Sequence, residues 1–109
     1  MIQSINISTK LYVGKAKDFK NHKDTLLELI SLMPSVGVEN VSKSDWLLAS
    51  TFDRLYLTYF YKHIGNSYMC DLMVKLKADN WNIGKTWYQQ YNKGSHHTYH
   101  NHAKTNFTN

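Results

Sequence analysis

The chain has 109 residues, enough for one domain with a modest core, and its composition (42% hydrophobic, 14% aromatic, 19% charged) is that of a folded globular protein, not a disordered segment. No run of about 18 apolar residues is present and the polar start at Met1–Lys10 lacks the apolar centre of a secretory signal, so no helical membrane span is expected and the compartment expected is the cytoplasm. The net charge of +5 rests on thirteen basic residues of which Arg54 alone is arginine; arginine grips phosphate bidentately and reads bases, so this balance argues for a lysine-rich solvated face over a dedicated nucleic-acid module.

Lys10–Val13 has the β-branched and aromatic character of a short strand ended by Gly14, placed to join the edge of a sheet formed later in the chain. From Asp18 the period changes. Phe19, His22, Leu26, Leu27, Ile30 and Met33 recur at three- and four-residue steps, which predicts an amphipathic helix with Asp18 as cap and Pro34 closing it. His22 reads as a boundary residue of that helix. Ser35–Asn40 is turn-rich, and Val41–Trp46 reads as a short extended piece whose tryptophan anchors the loop by burial.

A second, longer helical pattern opens at Ser50-Thr51 with Asp53 in its first turn. Its apolar stripe runs through Phe52, Leu55, Tyr56, Tyr59, Phe60, His63, Ile64, Tyr68, Leu72, Met73 and Leu76, with Gly65 marking a kink or break. On this stripe His63 reads as a hydrogen-bonded core histidine. Cys70, the single cysteine, makes no internal disulfide and falls among helical residues as a buried thiol. Asp79-Asn80 signals a turn, after which Trp81, Ile83, Thr86, Trp87, Tyr88 and Tyr91 give a β-prone, aromatic segment. On an extended strand Trp87, Gln89 and Tyr91 share one face while Thr86, Tyr88 and Gln90 share the other. Tyrosine and glutamine among aromatics suit the hydrogen bonding of a small carboxylate; a packed core tyrosine explains Tyr88 equally well. Gly84-Lys85-Thr86 lacks the upstream glycine of a phosphate loop, and no Gly-x-Ser-x-Gly, Cys-x-x-Cys or His-Glu-x-x-His is present.

Four of the six histidines (His96, His97, His100 and His102) fall within seven residues, after a turn-forming Asn92-Lys93-Gly94. On an extended segment His100 and His102 point to one side, close enough to share a metal ion, and neutral imidazole is a common ligand of Fe, Zn, Cu and Ni. A third ligand must come from elsewhere. A solvated, loop-borne histidine patch is the plain alternative.

The run Trp87-Tyr88-Gln89-Gln90-Tyr91-Asn92-Lys93-Gly94, then His100-Asn101-His102, then Asn106-Phe107-Thr108-Asn109 resembles the first core strands of an iron(II)/2-oxoglutarate-dependent oxygenase family common in marine bacteriophages. The stretch from Asp18 to Trp46, with its leucine-rich helix, Pro34 and Lys43-Ser44-Asp45-Trp46, resembles that family's amino-terminal region. The resemblance implies an α+β fold in which two amino-terminal helices pack on the first strands of an incomplete double-stranded β-helix, a cupin-like jelly roll. It implies one domain over 1–109, with 1–80 mainly helical support and 81–109 the start of the β-helix core. His100 and His102 would take the first two positions around Fe(II), and Tyr88 and Gln90 are the candidates to bind 2-oxoglutarate; the oxidised substrate, a small molecule or a protein, is not indicated. Family members continue well beyond this point to supply a distal histidine and a basic residue, so the 109-residue chain alone is expected to be inactive. An incomplete sheet exposes an unpaired edge, from which a homo-oligomer is expected. The location implied is the host cytoplasm, and the alternative function is a non-enzymatic protein-interaction or virion-associated module with at most a structural metal.

Overall fold

A computed structural model describes residues 2–6, 10–38, 40–48 and 53–98. The chain is mixed α+β, with two small antiparallel sheets. It falls into two compact units, each made of two separate stretches of sequence: 1–32 with 53–82, and 33–52 with 83–109.

The first unit begins with a hairpin of β1 (Ile2–Asn6) and β2 (Lys10–Gly14), in register from Ile2 opposite Gly14 to Asn6 opposite Lys10. The strand expected at Lys10–Val13 is therefore present, and among the described residues it pairs with the amino-terminal segment and not with a later sheet. Its partner is the polar amino-terminal segment, where Ile2 and Ile5 alone carry β-prone bulk and the alternation is too thin to read as a strand. Period-two geometry puts Ile2 on the buried face, and leaves the cross-strand pair Ile5 and Leu11, with Val13, on the exposed one. β1 lies against α3, defined below.

α1 (Phe19–Ser31) is the first predicted helix, and it packs against α2. Its half-buried positions are His22, Leu26, Leu29 and Ile30, a stripe of one helical face; Phe19 and Leu27, expected on that stripe, are exposed. Asp18 stands at the cap position in the left-handed region, φ 52°, and its side chain makes no capping bond. The second predicted helix is shorter at its start. Asp53 and Arg54 precede it, and Ser50, Thr51 and Phe52 lie outside the described residues.

That helix runs as α2 (Leu55–Phe60), a π-helical turn (Tyr61–Gly65) and α3 (Asn66–Leu76). Gly65 does not break it. The Asn66 N–H donates to the Tyr61 carbonyl five residues back, the bond that defines a π turn. A Cβ on Gly65 would lie 2.9 Å from Phe60 Cε1 and 3.1 Å from Tyr61 Cδ1, so only glycine admits this ring packing. Tyr56, Ile64 and Leu72 form the buried line of the helix, and Ile2 is buried in the hairpin. Cys70, expected to be buried, is exposed. The helix ends on Lys77 in the left-handed region, φ 54°, and the Ala78 N–H donates to the Met73 carbonyl at 3.0 Å, a Schellman closure.

The second unit is built on a three-stranded antiparallel sheet in the order β3 (Val36–Val38), β4 (Val41–Ser44), β5 (Gln89–Gln90). β3 arises where only a turn-rich connection was expected. Asn40, at φ 62°, makes the tight reversal, and a one-residue shift between Val36 and Val38 marks a bulge. Among the described residues, Val41, Ser44 and Asp45 are the buried ones here. Trp46 starts a 3₁₀ turn (Trp46–Leu48) and stays 39% exposed, so it is not the buried anchor expected of it. Its ring meets Trp87 at 6.3 Å and lies 4.7 Å from Lys85 Nζ, a surface aromatic pair capped by a cation. The aromatic run 81–91 yields only the two-residue β5 as regular strand.

Candidate functional site

β5 is held to β4 through Lys43 opposite Gln90 and Ser44 opposite Gln89. Just before it, side chains replace the ladder. Ser44 Oγ donates to the Tyr88 carbonyl at 2.8 Å, and the Tyr88 N–H donates to Asp45 Oδ1 at 2.9 Å. Ser44 Oγ also accepts the Trp46 N–H at 3.0 Å. Two consecutive buried side chains thus satisfy both backbone groups of one residue, which explains why polar Ser44 and Asp45 sit in the interior. Lys43-Ser44-Asp45-Trp46 is therefore a fastening for the strand that leads toward the histidine run.

Beyond β5, the Ser95 N–H donates to the Asn92 carbonyl at 2.9 Å, closing a four-residue turn whose third residue, Gly94, has φ 86°. This is the positive φ that a type II turn requires there. Ser42 Oγ lies 3.0 Å from Ser95 Oγ and accepts the Asn92 N–H at 3.2 Å, and the His96 N–H donates to the Asn40 carbonyl at 2.6 Å. The turn is thereby pinned to the β3–β4 reversal.

Of the residues picked out by sequence, Tyr88 is half-buried and Gln90 exposed, two positions apart at β5. The opposite face behaves as its alternation requires: Tyr91 Oη donates to Gln89 Oε1 at 2.7 Å. His96 and His97 are exposed. His100 and His102 lie outside the described residues. Among the described residues no three His, Cys, Asp or Glu side chains come together in a group able to hold a metal ion.

A second cluster lies in the first unit, unread in the sequence. His22 Nδ1 and Tyr59 Oη are 2.7 Å apart, and the His63 ring stacks on His22 with centroids 4.8 Å apart and planes at 27°. Tyr59 and His63 are 4.4 Å apart, as residues one turn apart on a helix face must be close. His22 is half-buried, as the boundary position expected of it requires, and is hydrogen-bonded there; His63 is exposed, not a core histidine. Periodicity placed both on apolar stripes but could not show that α1 brings the stripes together at these two rings.

No family model, curated protein or solved structure matches the chain. Among the described residues no helix is long and apolar enough to cross a membrane.

Proposed function

We propose that the chain corresponds to the amino-terminal part of an iron(II)/2-oxoglutarate-dependent oxygenase-like protein, with His100 and His102 as two of the metal ligands and the β3–β4–β5 sheet as the start of a β-helix core. The observation that carries this reading is the approach to the histidines. The aromatic run, with the two-residue β5 in it, leads into Asn92-Lys93-Gly94-Ser95, a closed turn with Gly94 in the conformation glycine favours, six residues ahead of His100. The resemblance calls for that strand, turn and spacing.

In this reading bound iron supplies oxygen chemistry that coupled decarboxylation of 2-oxoglutarate drives. The chain's own part is to present two neutral imidazoles from one segment, with Tyr88 and Gln90 offered to a carboxylate and Ser44 and Asp45 fixing the strand that carries them. In this reading a third ligand and a basic partner for the co-substrate carboxylate complete the site. An incomplete core sheet would offer an edge to a second copy of the chain, and light scattering at micromolar concentration should find species larger than a monomer.

Metal analysis of the full chain after anaerobic Fe(II) loading, or loading with Ni(II) as a redox-inert stand-in, tests the proposal. One equivalent should be lost in both His100→Ala and His102→Ala; unchanged metal content in both variants refutes it. The second reading, a protein-interaction module, is favoured by the apolar surface of the second unit, where Trp46, Leu47, Ile83 and Tyr91 are all exposed. Metal-free chain that retains full partner binding would select that reading.

A further inference from the structure

We infer that His22 and His63 form a second metal site, a two-imidazole clip for a divalent d-block ion that joins α1 to the π-helical turn. It uses neither His100 nor His102, so it stands or falls apart from the function proposed above.

The geometry comes first. Two imidazoles bound to one ion, each with its nitrogen about 2.0–2.1 Å away, have ring centroids roughly 5 Å apart at ordinary angles around the metal. His22 and His63 are already at 4.8 Å. Their planes, at 27°, lie too nearly parallel for both rings to aim at one ion as they stand. The exposed His63 ring is placed to turn about its broad second torsion and aim its nitrogen, while His22 is held.

What holds His22 is the contact between its Nδ1 and Tyr59 Oη, 2.7 Å. When Nδ1 donates its proton to the tyrosine oxygen, Nε2 keeps the lone pair that a metal takes up. This is the arrangement of metal-bound histidines, whose second ring nitrogen donates to an oxygen that fixes tautomer and orientation. Tyr59 is thus a positioning residue. In a two-histidine clip the remaining positions go to water, and affinity comes from the chelating pair.

The backbone gives an independent indication. His63 sits inside the Tyr61–Gly65 π turn, and such turns are rare and gather at functional sites. Gly65, buried and without a Cβ, is what makes room for it. An α-helix would have been the simpler way to cover apolar surface.

The test uses the full chain with His96, His97, His100 and His102 all replaced by Ala, which removes the competing cluster, titrated with Ni(II) in an isothermal calorimeter. One equivalent should bind. His63→Ala should weaken that binding at least tenfold; the ring it removes is exposed, and circular dichroism checks that the fold is retained. Tyr59→Phe should retain binding but weaken it severalfold. No saturable Ni(II) binding in the quadruple variant, or binding that survives both His63→Ala and His22→Ala, overturns the inference. Should the quadruple variant not fold, the unaltered chain serves: His63→Ala should lower its Ni(II) stoichiometry by one, and an unchanged stoichiometry overturns the inference equally.

Discussion

Replacing Asp45 with Ala removes the oxygen that accepts the Tyr88 N–H at 2.9 Å, in a side chain only 2% exposed. A hydrogen bond to a carboxylate contributes about 1.5–3 kcal/mol, and the freed N–H must find water or go without. Against this stands relief from burying the carboxyl group, which offsets part of the loss. A net cost of about 2 kcal/mol follows, and at about 1.4 kcal/mol per tenfold this makes exchange of the Tyr88 amide hydrogen roughly 30-fold faster. Asp45→Asn keeps an acceptor oxygen in place and should cost about half as much. Ser44→Ala loses the donor to the Tyr88 carbonyl and the acceptor of the Trp46 N–H, so it should cost about 1–3 kcal/mol. Both side chains grip one residue, so the double variant should cost less than the sum of the two. Amide exchange with mass-spectrometric fragmentation and urea unfolding measure these effects. If Asp45→Ala leaves both the Tyr88 exchange rate and the unfolding midpoint unchanged, Asp45 does not fasten this strand.

Gly65→Ala would put a methyl 2.9 Å from Phe60 Cε1, so the ring must shift or the π turn revert to α; a loss of about 1–3 kcal/mol is expected from thermal unfolding. Gly94→Ala meets no steric neighbour but must adopt φ 86°, so it should cost about 1 kcal/mol and speed exchange of the Ser95 amide while leaving the first unit untouched.

The helices were legible because their apolar spacing is long and regular. Leu26, Ile30, Tyr56, Ile64 and Leu72 announce α1 and the 55–76 helix without help from the rest of the chain. Short strands were not. β1 and β3 contain too few alternating positions to stand out, and they exist because β2 and β4 offer ladders to pair with. The π turn could not be read at all, since Gly65 signals equally a kink, a break or a close ring contact. Asp18 illustrates the limit of capping rules: the residue type and place were right, but its backbone is left-handed where a cap needs extended geometry, and its side chain makes no capping bond. At the site, the turn through Gly94 followed from local chemistry. The Ser44–Asp45 grip on Tyr88 and the meeting of His22 with His63 join residues some 40 positions apart, and one-dimensional patterns carry no such information.

A β-ladder repeats its donors and acceptors every second residue, so a strand held by ladder bonds alone can slip by two and find equivalent partners. The grip on Tyr88 bonds main-chain groups, which Thr86 and Gln90 carry too, so it does not itself choose the register; it lengthens the hold on the two-residue β5 by one residue, with two bonds that no ladder supplies.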